Sequence, residues 1–188
     1  LTTIVDFSRA NPAINLIWFP NTLAVQHWSS TPYVDFYGTL DKAWGVTFNQ
    51  GSSDYFLKSD YKVVRGGQFD NKFVDNGNGT VTDKATGLMW QQGTQSAMNW
   101  SAALSACENL TLAGYDDWRL PNIAELQSLA NERRNNPGVD TMMFPGTVSS
   151  WYWSSSSYAG GSGNAWHIYG ENLRARYNDV KKSDSAAV

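Results

Sequence analysis

The sequence predicts an α+β module, two helices embedded among short antiparallel strands, carried as a partial tandem repeat. Three observations predict it. Residues 73–90, FVDNGNGTVTDKATGLMW, have the pattern of a β-hairpin. Trp100, Ala103, Leu104, Cys107 and Leu110 recur at helical spacing. Finally, residues 1–33 laid over 126–158 at a constant offset of 125 give 11 identities in 33 positions, where average composition would give roughly two.

Each element has a local cause. In the hairpin, Asn76-Gly77-Asn78-Gly79 supplies residues that tolerate positive φ, and Thr80, Val81 and Thr82 resume a β-branched strand. The stripe from Trp100 to Leu110 forms one face of an amphipathic helix, with Cys107 on the buried side. A second helix starts at Asn122, whose side chain can cap the backbone while Glu125 reaches back; Ile123, Leu126 and Leu129 make its apolar face. Leu1, Ile4 and Val5 are the corresponding residues in the first copy. After each such helix come an Asn-Pro turn, an FPxT segment and a WSS segment, then short aromatic strands around 43–48 and 165–169.

The repeat sets the organisation. Asn11-Pro12 answers Asn136-Pro137, Phe19-Pro20 answers Phe144-Pro145, and Trp28-Ser29-Ser30 answers Trp153-Ser154-Ser155. The offset then slips, with Ala43-Trp44 answering Ala165-Trp166, which marks loops of different length. Residues 1–67 therefore carry the second half of one unit. Residues 68–188 carry a second unit that is expected to stop short of its last strand. With no initiator Met and no signal-like start, the beginning is expected to be a processed end or a boundary within a longer protein.

Composition excludes several classes. With 41% hydrophobic and only 16% charged residues, the chain has ample material for a core. A net charge of −3 and no basic run longer than Arg133-Arg134 or Lys181-Lys182 argue against nucleic acid. No apolar stretch approaches the roughly 20 residues of a membrane-spanning helix, so no membrane insertion is expected. Cys107 is the single cysteine, and any disulfide partner must lie outside the chain.

Two candidate sites emerge. Asp75, Asn76, Asn78 and Asp83 could offer oxygen ligands to calcium, although an Asn-Gly hairpin needs no metal and glycines stand where a helical calcium loop wants side chains. Trp151, Tyr152, Tyr158, Trp166 and His167, with Asn164 and Arg174 nearby, combine flat rings and hydrogen-bonding groups suited to sugars. Alternation along 166–169 would instead divide these residues between a core face and a solvent face. Arg119 with Glu125 is expected to be a structural ion pair. His27 and His167 stand alone, without metal-site or nucleophile patterns around them, and no catalytic set is apparent.

Taken in order, Asp75-Asn-Gly-Asn-Gly-Thr-Val-Thr-Asp83, Thr86-Gly-Leu-Met-Trp90, Ala113-Gly-Tyr-Asp-Asp-Trp-Arg-Leu-Pro121 with Glu125-Leu126, and Trp153-Ser-Ser155 resemble the Lcl C-terminal domain family, as does Val64-Arg65-Gly66-Gly67 at the end of the first copy. The resemblance implies kinship to C-type-lectin-like and formylglycine-generating-enzyme-like folds. It also implies an exported bacterial protein, extracellular or on the cell surface. The family's named adhesin binds sulfated glycans as a homotrimer, from which the acidic balance here departs. The expected function is a non-catalytic adhesion module that recognises glycans or matrix through aromatic loops. The alternative is a structural repeat of a cell-surface fibre with no small ligand. Either way, self-association or flanking repeats are expected to cover the apolar surface of the incomplete first copy.

Overall fold

The computed structural model describes residues 4–9, 11–33, 42–49, 52–56, 60–61, 73–131, 134, 136–171, 174–176 and 181–188. For 31–33, 42, 44, 52–56, 60–61 and 174–176 it describes the backbone. Leu1, the Val64–Gly67 segment and Asn172 lie outside the described residues.

The described elements bear out the α+β expectation. Strands β1 (Gln26–Tyr33), β2 (Lys42–Thr47), β3 (Ser52–Phe56) and β4 (Asp60–Tyr61) form one sheet in the order β3-β2-β1-β4, with β4 parallel to β1. The hairpin strands β5 (Phe73–Asp75) and β6 (Thr80–Asp83) are joined by β7 (Met89–Gln91) into an antiparallel meander. Gly77 and Gly79 adopt φ of 71° and 82° in the turn, the conformation their sequence offers at little steric cost. Helix α1 (Trp100–Glu108) is capped by Asn99, whose side chain accepts the Ala102 N–H at 2.9 Å. Helix α2 (Ile123–Ser128) begins with the expected reciprocal cap: Asn122 accepts from the Glu125 N–H, and Glu125 accepts from the Asn122 N–H. Strands β8 (Trp151–Ser157), β9 (Ala165–Tyr169) and β10 (Arg174–Arg176) close the third sheet.

The segments 11–49 and 136–171 share a pairing register and several loop hydrogen bonds. β1 pairs with β2 as Gln26↔Thr47, His27↔Val46 and Trp28↔Gly45, then shifts before Pro32↔Ala43. β8 pairs with β9 as Trp151↔Tyr169, Tyr152↔Ile168 and Trp153↔His167, then shifts before Ser157↔Ala165. These are the positions the sequence offset equates, irregularity included. The loops agree as well. The Phe19 N–H donates to Asn15 O at 3.0 Å, and the Phe144 N–H to Asp140 O at 2.9 Å. The Asn11 N–H donates to Asn49 O and the Asn136 N–H to Glu171 O; both asparagines have positive φ, and both Asn-Pro peptides are cis. At the chain's end, an isolated parallel bridge joins Ala187 to Tyr152, with the Trp153 N–H on Ala187 O at 3.1 Å. The Ala187 bridge thus lies along β8 as β4 lies along β1.

The β8-β9-β10 sheet is the middle layer, and this explains its burial. One face carries Trp166 and Ile168 into a core with Val81, Trp90, Ile123, Leu126 and Phe144. The other carries Trp153 and Ala165 into a second core with Ala103 and Leu120, backed by Trp100, Leu104 and Cys107. The Trp153 indole N–H donates to Met98 O at 2.9 Å and that of Trp100 to Ser154 O at 2.8 Å, tying α1 to β8. The expected division of β9 into core and solvent faces is therefore corrected. Residues 165–168 are all buried because each face has its own cover.

The N-terminal segment is covered partly from within the chain. Phe7 enters the core around Trp166 and stands edge-on to that ring with centroids 5.0 Å apart. A smaller core of Ile14, Val46 and Phe48 lies beneath the first sheet. Ile17, Trp18 and Leu23 remain in solvent.

Candidate functional site

A concavity of about 430 Å³ lies between β7, the end of α1, the 115–121 loop and α2. This falls in the range of roughly 300–1,000 Å³ typical of ligand pockets. Its interior is apolar: Leu120, Leu126, Val139, Phe144, Trp153 and Ile168 line it. Its mouth is polar and aromatic. Gln91, Gln92, Thr94, Tyr115, Asp117, Trp118, Arg119 and Glu125 line the cavity from the surrounding segments.

Local sequence positions these groups. Leu112 and Tyr115 exchange two backbone hydrogen bonds of 3.0 Å around Ala113 and Gly114, both at positive φ, a tight reversal of the primed kind. That reversal holds Tyr115 at the mouth, where it is 50% exposed. The Trp118 indole N–H donates to Leu112 O at 3.3 Å, which fixes the second ring against the same turn. Arg119 donates two hydrogen bonds to Glu125, of 2.7 and 2.6 Å. These bonds hold the Glu125 carboxyl below the usual carboxylate range and raise the Arg119 guanidinium, with the Asn122 N–H assisting. The pair is neutral overall, so the charge left at the mouth is that of Asp117, with Asp116 exposed next to it in sequence. On the far wall the Tyr152 hydroxyl lies 3.3 Å from Thr94 Oγ1 and accepts the Val148 N–H at 2.9 Å.

The residues expected to bind sugar do not converge. Trp166 and His167 have no exposed surface, so neither can stack on a ligand arriving from solvent. Trp151 and Tyr169 are half-buried cross-strand neighbours with centroids 4.7 Å apart, and Arg174 is the next backbone position in that row. Tyr158 and Asn164 sit at the opposite end of the strands, roughly 20 Å away at 3.3 Å per residue. Tyr158 packs on Trp166. Tyr152 alone of this set lines the cavity.

The oxygens proposed for calcium are engaged in turns. Asp75 accepts from the Gly77 N–H, and Asn78 from the Thr80 hydroxyl. Asn76 bonds to Thr80 and Thr82. Asp83, fully buried, accepts from the Ala85 N–H and the Thr86 hydroxyl. Two separate turns consume these side chains, and among the described residues no cluster of three or more His, Cys, Asp or Glu could hold a metal. These hydrogen bonds support the turn reading of the hairpin.

Tyr115, Trp118, Gln91 and Gln92 were missed as site residues. The signal for Tyr115 and Trp118 was present in Gly-Tyr-Asp-Asp-Trp-Arg, two rings among carboxylates, but the sequence did not show that this loop faces Gln91 and Gln92 across a cavity.

Among models of known families, that of the Lcl C-terminal domain matches residues 1–66 and 79–188. No curated protein and no solved structure matches the chain.

Proposed function

The chain belongs to the Lcl C-terminal domain family, and from that premise we propose a non-catalytic binding module of a bacterial surface protein whose ligand is a neutral glycan with an apolar substituent. The observation that carries this reading is the cavity, with Tyr115 and Trp118 at its mouth and apolar walls behind them. Sugars stack their apolar faces on such rings while Gln91, Gln92 and Asp117 bond hydroxyls. An N-acetyl or O-acyl group fits the apolar interior. Asp116 and Asp117, with Arg119 already neutralised by Glu125, disfavour sulfated ligands. Localisation outside the cell is part of the same proposal. So are kinship to C-type-lectin-like folds and a tandem arrangement of units, the latter supported by the shared hydrogen-bond register.

A glycan array probed with soluble protein tests the reading. Neutral acylated or N-acetylated glycans should bind, and Tyr115→Ala should weaken binding about tenfold, the scale of one stacking contact. Trp151→Ala, outside the cavity, should leave binding unchanged. A blank array, or full binding by a Tyr115→Ala, Gln92→Ala variant, would dispose of the proposal. The second reading, a structural repeat of a surface fibre, is favoured by the two alike segments in one chain. Electron microscopy of the native protein separates the two: regular filaments support the fibre, isolated particles the binding module.

A further inference from the structure

An acyl group entering the cavity brings a carbonyl oxygen with it, and a carbonyl taken out of water costs free energy unless a donor meets it. Leu120, Leu126, Val139, Phe144 and Ile168 line the interior and offer none. Several donors around the cavity are committed elsewhere. The Trp153 indole N–H goes to Met98 O, that of Trp118 to Leu112 O, and the Arg119 guanidinium to Glu125.

The hydroxyls of Tyr152 and Thr94 differ from these. Both residues line the cavity, and their oxygens stand 3.3 Å apart. That is about 0.5 Å longer than an ordinary bond between hydroxyls. Of the two hydroxyl protons only one can lie between the oxygens, and among the described residues neither hydroxyl has another acceptor. The pair therefore keeps a proton to give. The phenol is the better donor because it is the stronger acid, and the Val148 N–H that it accepts at 2.9 Å polarises it further. Its ring is seated by a missing side chain, since a Cβ at Gly170 would come within 2.9 Å of it. In the register shared with β1 and β2, Phe48 holds that place and His27 stands where Tyr152 does, so of the two strands only β8 carries the hydroxyl.

We propose that the Tyr152 hydroxyl donates to the carbonyl oxygen of an N-acetyl or O-acyl substituent, which makes Tyr152 the specificity-determining residue for acylated over unsubstituted glycans. The proposal rests on the glycan reading of the cavity. On binding, Thr94 turns its own proton toward the phenol oxygen. Their contact keeps its hydrogen bond with donor and acceptor exchanged, and the protein gives up none.

Titration calorimetry with two neutral trisaccharides, tri-N-acetylchitotriose and cellotriose, tests it, with thermal melts confirming that the variants remain folded. The native chain should prefer the acetylated sugar, and Tyr152→Phe should lose about tenfold of that preference, the scale of one hydrogen bond. Affinity for cellotriose should not change, because the ring stays. Thr94→Val keeps the donor and should lower the preference by less than about threefold, through lost polarisation alone. In amide NMR spectra of the native chain, the Val148 N–H should shift with the acetylated sugar and not with cellotriose, which a purely structural Tyr152 would not produce. A native chain that binds both sugars equally, or a Tyr152→Phe chain that keeps the preference, would overturn the proposal and leave the glycan reading standing. A Thr94→Val chain as impaired as Tyr152→Phe would also overturn it, with Thr94 as the donor. Binding of neither sugar would overturn it as well, and a blank glycan array besides would take the glycan reading with it.

Discussion

Arg119 grips both carboxylate oxygens of Glu125, at 2.7 and 2.6 Å, while Glu125 also accepts the backbone N–H of Asn122 that opens α2. One carboxylate thus fixes the loop at the cavity mouth and the start of the helix behind it. Replacing Glu125 by Ala removes the reciprocal half of the cap and leaves Arg119 unpaired. The expected loss is about 1–2 kcal/mol, mostly from the cap, since Arg119 is largely exposed and solvent screens its charge. At roughly 2–4 °C per kcal/mol for a chain of this size, a melting scan resolves it. An unchanged midpoint would show that the pair positions nothing.

The same pair gives a pH dependence of stability. Hydrogen bonds from Arg119, then from the Asn122 N–H, depress the folded Glu125 value. A depressed carboxylate contributes in full above its unfolded value of about 4.3, and the contribution is lost as pH falls through the lower folded value. Denaturant midpoints of the native chain and Glu125→Gln should converge as pH falls below about 4. A gap of constant size down to pH 2 would contradict this.

In the register shared by β1-β2 and β8-β9, Gly170 holds the position that Phe48 holds after β2. A Cβ there would lie 2.3 Å from Val148 O and 2.9 Å from the Tyr152 ring. At the corresponding place beside β1, His27 packs against the Phe48 ring at 4.8 Å. Gly170→Ala should destabilise by about 1–3 kcal/mol through overpacking against backbone. A variant as stable as the native chain in urea would show that β8 yields easily.

Burial of Cys107, and secondarily Glu108 beside it, pushes its thiol up. Alkylation by iodoacetamide at neutral pH should therefore be slower in the folded chain than in urea, because the thiolate is the reactive form. Cys107 also lines the cavity, so a bound glycan should slow the reaction further. Equal rates in folded and unfolded protein would count against both statements.

Asp75, Asn76 and Asn78 are engaged by Gly77, Thr80 and Thr82 in one turn, and Asp83 by Ala85 and Thr86 in another. Chelation with EDTA should leave the melting temperature unchanged. A fall of several degrees, reversed by added calcium, would return the hairpin to the list of metal sites.

Local chemistry in the sequence determined the hairpin, the first helix and the start of the second. Asn-Gly turns, an Asn122–Glu125 cap and a helical stripe act over a few residues, so their outcome can be read without knowing the rest of the chain. Pairing of distant segments decided what remained. Trp166 and His167 look like sugar-binding residues on a one-sided strand, yet they are core because α1 covers one face of the third sheet while α2, the hairpin and Phe7 cover the other. Tyr115 and Trp118 rim a cavity because β7 lies across from their loop. Burial is a property of which surfaces meet, and a residue 50 positions away leaves no local mark on the side chain it covers.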